Sequence, residues 1–306
     1  MKKINLKDII KSMNLEVLVD PGLEAPVISV SDLNRPGLEL AGFFDHFAFE
    51  RIQILGMTEI HFLERLPPEV RRERLEKLLS YNVPCVIVTR KLKPPAELIS
   101  LGRKYERWIL TTPQATTRFI SQLTDYLESE MAPRTTLHGV LVDIYGVGVL
   151  LLGESGIGKS ETAVELIKRG HRLVADDAVE IKQVAKDVLI GTAPELIRYY
   201  LEVRGLGVID VKTIFGAGAV RDDIKIEMVI ELVEWEKYKE TDRLGLEDEK
   251  IKILDSYLPK KTIPIRPGRN LAAILEVAAM DHRLKDMGYN AALQFSKRLY
   301  STINKK

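Results

Sequence analysis

The stretch Gly153-Glu154-Ser155-Gly156-Ile157-Gly158-Lys159-Ser160 decides the fold of the second half of this chain. It matches the pattern G-x-x-x-x-G-K-[S/T] at every fixed position, follows an apolar run at 147–152 and precedes a helical pattern at 161–169. Glycines let the backbone turn its N–H groups toward phosphate oxygens, and the helix N-terminus adds its positive dipole end. The sequence therefore predicts a phosphate-binding loop between a strand and a helix.

The last two residues of this loop carry its chemistry. The Lys159 ammonium can reach the β- and γ-phosphates of a nucleotide, and the Ser160 hydroxyl can take a coordination position on Mg²⁺. The loop as a whole, 153–160, is predicted to bind the nucleotide phosphates. A glycine-rich turn with a solvated lysine is the plainer alternative, which the flanking strand and helix disfavour.

Two aspartates end the next strand pattern. The run 171–177 reads His-Arg-Leu-Val-Ala-Asp-Asp, and in a βαβ unit the end of such a strand lies beside the loop. Carboxylates placed there can hold Mg²⁺ or its water, or accept a proton. Because neighbours on a strand point to opposite faces, one of Asp176 and Asp177 is expected to face the reacting group. The other would bind metal water or cap backbone, and a helix N-cap is the structural alternative.

A hairpin is predicted immediately before the loop. The apolar runs 138–144 and 147–152 flank Tyr145-Gly146, a two-residue turn signal. An antiparallel strand would then lead into the phosphate loop, unlike the βαβ lead-in of ordinary P-loop NTPases. His138 is predicted to start this hairpin, and by itself it would be an ordinary surface histidine.

A second unusual segment is Leu-Glu-Val-Arg-Gly-Leu-Gly-Val-Ile-Asp at 201–210. It places a carboxylate (Glu202), a guanidinium (Arg204) and Gly205 between apolar residues, a pattern that a structural salt bridge explains equally well. Further arginines occur in loop-like contexts, namely Arg243, Arg266 and Arg269.

The first half of the chain alternates short apolar runs with amphipathic helical patterns. This predicts an α/β domain with a mainly parallel sheet and helices packed on it. Met131-Ala132-Pro133-Arg134 is the best boundary, because proline halts the preceding helix. The predicted domains are residues 1–131 and 132–306, an N-terminal α/β domain and a P-loop domain.

Composition excludes several classes of partner. Among 306 residues, Lys and Arg number 45 against 44 Asp and Glu, which gives no reason to expect nucleic acid or an anionic membrane surface. No apolar run approaches the ~18 residues that cross a bilayer, and the N-terminus lacks signal-peptide features. The chain is expected to be cytoplasmic. The single cysteine, Cys85, lies in an apolar run and is predicted to be a buried core residue.

The chain resembles the HPr kinase/phosphorylases in the order and spacing of seven segments. These are the predicted hairpin led by His138, GESGIGKS, HRLVADD, LEVRGLGVIDV, FGAGAV, DRLG and PGRNLAAILEVAAM. The resemblance covers the C-terminal half and extends to RPGLELAGFF at 35–44. It implies a C-terminal domain like phosphoenolpyruvate carboxykinase and an N-terminal domain like the first domain of Mur ligases. It also implies a homohexamer.

The activity implied by this resemblance is bifunctional. Members phosphorylate a regulatory serine of the phosphocarrier protein HPr, using ATP or pyrophosphate with Mg²⁺, and so regulate carbon catabolite repression. In the reverse reaction inorganic phosphate attacks phosphoserine-HPr and releases pyrophosphate. Fructose 1,6-bisphosphate favours the kinase.

The resemblance also assigns roles to single residues. Lys159 matches the catalytic loop lysine, and Ser160 and Glu202 match the Mg²⁺ positions. His138 and Arg243 match contacts to the transferred phosphoryl group. Asp177 matches the acid/base, with Asp176 as its companion. Residues 264–269, with Arg266 and Arg269, match a region that matters for dephosphorylation.

Two other functions remain as alternatives. A small-molecule P-loop kinase or carboxykinase shares the loop but does not predict the segment 201–210. A non-catalytic nucleotide-binding switch is disfavoured by the acid/base candidate Asp177 and by the absence of an N-K-x-D motif.

Overall fold

The computed structural model describes residues 3–238, 249–266 and 268–303, with side chains described to residue 298. The chain forms two compact units, Met1–Ala132 and Pro133–Lys306. Each contains a sheet with helices packed against it, which confirms the expected two-domain α/β architecture. In the described parts of the chain no helix has the length and apolar character needed to cross a membrane.

The first unit is built on a five-stranded sheet. Its elements follow in the order β1 (Ile4–Asn5), α1 (Leu6–Ser12), β2 (Glu16–Val19), β3 (Val27–Ile28), β4 (Leu33–Asn34), α2 (Gly37–Ala41), β5 (Ile52–Leu55), α3 (Met57–Arg65), α4 (Pro68–Ser80), β6 (Cys85–Val88), α5 (Ala96–Lys104), β7 (Trp108–Thr111) and α6 (Thr116–Met131). The sheet order is β2-β7-β6-β5-β4, with β4 to β7 parallel and β2 antiparallel at the edge. The predicted mainly parallel sheet is confirmed.

Strand β6 shows why the strands of the first unit appear in the sequence as continuous apolar runs. Cys85 and Ile87 pack in the core cluster that includes α1 and α6, whereas Val86 and Val88 pack in the cluster that includes α4 and α5. A parallel strand covered on both faces buries every residue. Cys85 is fully buried, as predicted, and burial raises the pKa of its thiol.

The second unit is built on a larger sheet. Its elements are β8 (Arg134–His138), β9 (Val140–Ile144), β10 (Val147–Gly153), α7 (Lys159–Lys168), β11 (Arg172–Ala175), β12 (Ala178–Ala185), β13 (Val188–Thr192), β14 (Tyr200–Val203), β15 (Gly207–Asp210), α8 (Val211–Phe215), β16 (Asp223–Glu234), β17 (Glu249–Ile253), β18 (Ser256–Ile265), α9 (Leu271–Asp286) and α10 (Ala291–Ile303). The sheet order is β11-β9-β10-β16-β13-β12-β8, and β18 pairs with β16 and β17. Strands β14 and β15 form a separate hairpin.

The phosphate loop sits between strands that run in the same direction. Strand β9 is antiparallel to both β10 and β11, so β10 and β11 run parallel with β9 between them. Their carboxyl ends therefore meet at one edge of the sheet, where the loop and the paired aspartates lie.

The predicted hairpin is confirmed for β9 and β10, but the place assigned to His138 was wrong. Tyr145 and Gly146 have φ of 54° and 89°, the left-handed values that a two-residue hairpin turn requires. His138 instead ends β8, at the far edge of the sheet, where it pairs with Ala178 of β12. Gly139 separates the two strands, and a Cβ there would lie 2.6 Å from the Leu151 carbonyl oxygen.

Two core clusters cover opposite faces of the second sheet. The α7–α9 cluster lies against those two helices and includes Met228 and Leu275. The opposite cluster includes Ile224, Ile226 and Val229. Strand β16 contributes to both, and its register against β10 shifts between Ile226 and Met228.

Gly148 in β10 is required by this register shift, because a Cβ there would lie 2.0 Å from the Lys225 carbonyl oxygen. We expect Gly148→Ala to lower the free energy of unfolding by about 1–3 kcal/mol, measured by urea denaturation, since overpacking forces the two strands apart. Gly218→Ala is the matched control, because a Cβ there meets nothing within 4 Å. Equal stability of the two variants would contradict the close approach of the strands.

Candidate active site

The phosphate loop follows β10 and begins α7 with glycines in left-handed conformation. Gly156 and Gly158 have φ of 82° and 99°, and Gly158 is the N-cap residue of α7. Residues with a side chain rarely adopt these φ values, so glycine is needed for the loop to curl at the N-terminus of the helix. The loop predicted at 153–160 therefore contains the left-handed glycine turns that its motif predicts.

Lys159 lies inside the curl of the loop. Its side chain is only 6% exposed, and Nζ donates hydrogen bonds to the carbonyl oxygens of Gly153 at 2.8 Å and Glu154 at 3.0 Å. Burial lowers the pKa of Lys159, and the charges of Asp176, Asp177 and Glu161 oppose that shift. The ammonium is thus held in a largely desolvated position, where its attraction for a phosphate is strong.

Asp176 links the loop to the β14–β15 hairpin. Its Oδ1 accepts a hydrogen bond from Ser160 Oγ at 2.9 Å, and its Oδ2 accepts one from the Glu202 backbone N–H at 3.0 Å. Burial raises the pKa of Asp176, while these hydrogen bonds act in the opposite direction. A buried carboxylate beside a hydroxyl and a second carboxylate is a set of hard oxygen donors, which suits Mg²⁺.

Unlike the buried Asp176, Asp177 is exposed to solvent. Its side chain is 73% exposed, and Oδ1 lies 3.0 Å from His138 Nδ1. Different surroundings for the two aspartates were predicted from alternation along a strand, but that reason was wrong. Strand β11 ends at Ala175, so strand alternation does not apply, and Asp177 has a left-handed backbone with φ of 67°. Ala178 begins β12, so neither aspartate caps a helix.

His138 connects Lys159 with Asp177. Its Nε2 lies 3.3 Å from Lys159 Nζ, and its Nδ1 faces the Asp177 carboxylate. An ammonium only donates, so a hydrogen bond from Lys159 makes Nε2 the acceptor and leaves Nδ1 to face the Asp177 carboxylate as a donor. This chain of contacts joins the loop lysine to the exposed carboxylate.

Glu202 and Arg204 reach the site from the β14–β15 hairpin. A Cβ added at Gly156 would lie 2.4–2.6 Å from guanidinium atoms of Arg204, so that side chain lies directly against the loop backbone. Most of the predicted site residues lie around one pocket. The pocket is lined by His138, Ser155, Gly156, Gly158, Lys159, Ser160, Glu161, Asp176, Asp177, Glu202 and Arg204.

Other predicted residues lie outside this lining. Gly205 is in the turn of the β14–β15 hairpin, with φ of 82°. Arg266 stacks over the Trp235 ring, 3.4 Å from its centroid, and Arg269 Nη1 donates to the Pro264 carbonyl oxygen at 2.8 Å. Arg243 falls outside the described residues.

Two charged residues near the loop were not among the predicted set. Glu161 lines the pocket, and its position directly after the loop serine was a signal that the sequence offered. Lys237 Nζ contacts both carboxylate oxygens of Glu154, at 2.8 and 3.0 Å. No local pattern pointed to Lys237, because 83 residues separate it from Glu154.

Comparison with known families covers both units. Residues 129–299 match the family model described as HPr Serine kinase C-terminal domain, and residues 4–127 match that described as HPr Serine kinase N terminus. The chain belongs to the HPr serine kinase family. The resemblance inferred from the motifs is therefore confirmed.

Relatives within the HPr serine kinase family align over nearly the full length. The HPr kinase/phosphorylase of Caldanaerobacter subterraneus is 56% identical over 303 residues, 99% of each chain. That of Alkaliphilus metalliredigens is 53% identical over 306 residues, covering 100% of this chain and 99% of the relative. That of Bacillus cereus is 54% identical over 304 residues, covering 99% and 98%.

Among solved structures, the Hpr(Ser) kinase/phosphatase from Coxiella burnetii is 40% identical, with a TM-score of 0.48. The match covers 53% of this chain and 98% of the solved chain.

Proposed function

We propose that this chain phosphorylates a serine of HPr with ATP and Mg²⁺, and reverses that modification by phosphorolysis. The observation that carries the proposal is the pocket in which the loop lysine, the Ser160–Asp176 pair and the His138–Asp177 pair converge. The full-length relatives named HPr kinase/phosphorylase support the choice of HPr as substrate.

The nucleotide and metal requirements follow from the donor set. When bound, Mg²⁺ would neutralise charge on the phosphoryl oxygens. Ser160, Glu202 and the buried Asp176 are the residues that would hold it, and the raised pKa of Asp176 marks a buried carboxylate that a cation would stabilise in its charged form. The loop 153–160 would bind the ATP phosphates, and pyrophosphate can occupy the same anion site.

In the kinase direction, the oxygen of the substrate serine attacks the γ-phosphorus of ATP while Asp177 takes the serine proton. The bond between the γ-phosphorus and the β,γ-bridging oxygen breaks, and ADP is released. The exposure of Asp177 allows a protein substrate to approach, and His138 Nδ1 holds the Asp177 carboxylate in place. Lys159 and the loop N–H groups stabilise charge on the equatorial oxygens, with His138 and Arg243 as further contacts to the transferred group.

In the phosphorylase direction, an oxygen of inorganic phosphate attacks the phosphorus of phosphoserine. The P–O bond to serine breaks, Asp177 returns its proton to the leaving serine oxygen, and pyrophosphate is released. The same stabilising groups serve both directions, because each transition state places negative charge on a phosphoryl group over the phosphate loop.

The proposal extends to properties that the relatives' names do not state. These are a homohexamer, activation by fructose 1,6-bisphosphate, a cytoplasmic location and a role in carbon catabolite repression. They also include fold relationships of the second unit with phosphoenolpyruvate carboxykinase and of the first with the Mur ligase N-terminal domain. The motif resemblance supports this extension, as does the antiparallel strand that leads into the loop.

The test of this function is a mass-spectrometric assay of HPr incubated with the purified chain, Mg²⁺ and ATP or pyrophosphate. We expect one phosphoserine, removed again when inorganic phosphate is added in excess. A protein that hydrolyses ATP but leaves HPr unmodified, with and without fructose 1,6-bisphosphate, would favour a small-molecule kinase. Nucleotide binding without any phosphoryl transfer would favour a non-catalytic nucleotide-binding switch.

Arg266, Gly268 and Arg269 are proposed to help bind the attacking phosphate, because guanidinium groups bind phosphate oxygens bidentately. We expect Arg269→Ala to slow phosphorolysis more than phosphorylation and to raise the KM for inorganic phosphate. The contact of Arg269 with the Pro264 carbonyl offers a structural alternative. Equal loss of both activities, together with a lower melting temperature, would assign Arg269 to holding the turn before α9.

A further inference from the structure

Glu227, His282 and Asp286 form a cluster separate from the phosphate-loop pocket. Glu227 belongs to β16, while His282 and Asp286 are one turn apart near the end of α9. Each residue offers one ligand atom, and the three atoms lie within 4.8 Å of one another. A histidine and a carboxylate at i and i+4 on one helix face, completed by a carboxylate from a strand, form a common type of metal-binding arrangement.

The separations within the cluster are too long for hydrogen bonds. His282 Nε2 lies 3.7 Å from Glu227 Oε2 and 3.5 Å from Asp286 Oδ2, whereas a hydrogen bond to a ring nitrogen spans about 2.7–3.2 Å. Ligands at about 2.0–2.2 Å from a tetrahedral Zn²⁺ are about 3.3–3.6 Å apart. The two distances from His282 therefore fit ligand atoms around a cation better than they fit hydrogen bonds, and the third pair, Glu227 and Asp286, lies within 4.8 Å.

The register shift in β16 explains how Glu227 reaches this cluster. Gly148 is paired with Ile226 and Val149 with Met228, so Glu227 is the extra residue of a β-bulge. Ile226 packs on one face of the sheet and Met228 in the α7–α9 cluster on the other. The bulge therefore turns two successive side chains, Glu227 and Met228, toward α9, and re-aiming a side chain is a recurrent use of bulges.

Burial and charge also favour a cation at this position. The His282 side chain is 13% exposed and that of Glu227 is 24% exposed, so two of the three ligands are removed from most of the solvent. One imidazole cannot offset two carboxylates, since it carries at most one positive charge. The nearby Asp281 is different, because it has lysine partners, Lys261 and Lys285.

We propose that Glu227, His282 and Asp286 bind a divalent transition metal, specifically Zn²⁺, and thereby fasten the end of α9 to β16. Imidazole nitrogen with carboxylate oxygen favours Zn²⁺ over Mg²⁺, which requires an octahedral shell of oxygen ligands. Asp286 is 63% exposed, so water can supply the fourth ligand. The role is structural, and the proposal does not depend on the activity proposed above.

The test is Zn²⁺ titration by calorimetry of the full chain, stripped with a chelator and kept in excess Mg²⁺ so that the phosphate-loop pocket does not compete. We expect the wild type to bind one more equivalent of Zn²⁺ than either His282→Ala or Glu227→Gln binds. If the variants still bind that equivalent, we expect the wild type to bind it at least about tenfold more tightly. Zn²⁺ should raise the melting temperature of the wild type and leave that of both variants unchanged.

His61→Ala is the matched control, because His61 Nδ1 contacts a carboxylate, that of Glu64, at 2.9 Å on the surface of the first unit. This variant should bind Zn²⁺ like the wild type. Glu227→Gln preserves side-chain size, so it decides the matter even where His282→Ala fails to fold. Wild-type stoichiometry and affinity in Glu227→Gln would overturn the proposal and leave a plain ion cluster.

Discussion

Lys159→Met is expected to slow both phosphorylation and phosphorolysis of HPr by about 10²–10³-fold, the usual effect of removing one electrostatic contact to a transition state. Both directions place negative charge over the phosphate loop, and Lys159 is the ammonium buried within it. Methionine keeps the length of the side chain and removes the charge. Steady-state rates in the two directions, measured by mass spectrometry of HPr, provide the check.

The matched control for this variant is Lys168→Met, at the other end of α7. Lys168 is exposed and lies in the last turn of the helix, so its loss should leave both rates unchanged. Because Lys159 also donates to the Gly153 and Glu154 carbonyl oxygens, the melting temperature of Lys159→Met should be recorded. Near-normal turnover by a folded Lys159→Met protein would show that the reaction occurs elsewhere.

Asp177→Asn is expected to lower the kinase rate by about 10²–10⁴-fold, the range that general acid–base groups contribute. An amide cannot take the serine proton, so the loss should appear in kcat. The exposed position of Asp177 predicts an unchanged melting temperature and unchanged nucleotide affinity. Single-turnover phosphorylation of HPr, with calorimetric measurement of ATP binding, separates these effects.

Asp176→Asn provides the contrasting variant, because Asp176 is buried and accepts from two donors, Ser160 Oγ and the Glu202 N–H. The asparagine NH₂ group would have to face one of these donors, which costs about 1–3 kcal/mol of stability. We expect a lower melting temperature and a higher Mg²⁺ requirement. A Mg²⁺ titration of both variants is decisive, since an exchange of the two phenotypes would reverse the roles assigned to the aspartates.

Local chemistry allowed much of the fold to be predicted. The phosphate loop, the helix after it and the turn at Tyr145-Gly146 follow from backbone sterics that act within a few residues. The buried strands of the first unit follow from uninterrupted apolar runs, such as that of β6. These features depend on neighbours in the chain, and neighbours are what a single sequence displays.

Two features of the site depended instead on long-range packing. His138 was assigned to the hairpin, whereas it lies in β8, because sheet pairing across about 40 residues decides which strand it joins. The pairing of Lys237 with Glu154 likewise joins distant parts of the chain.

The sequence by itself determined which chemical groups this protein carries: an anion-binding loop with its lysine and serine, and two carboxylates after the next strand. Only the tertiary structure decided how those groups face one another, including the link from Lys159 through His138 to Asp177 and the bulge that turns Glu227 toward His282. The physical reason is the distance along the chain over which each interaction acts. Backbone sterics act between adjacent residues, whereas the direction of a side chain at a site is set by packing among elements far apart in the chain.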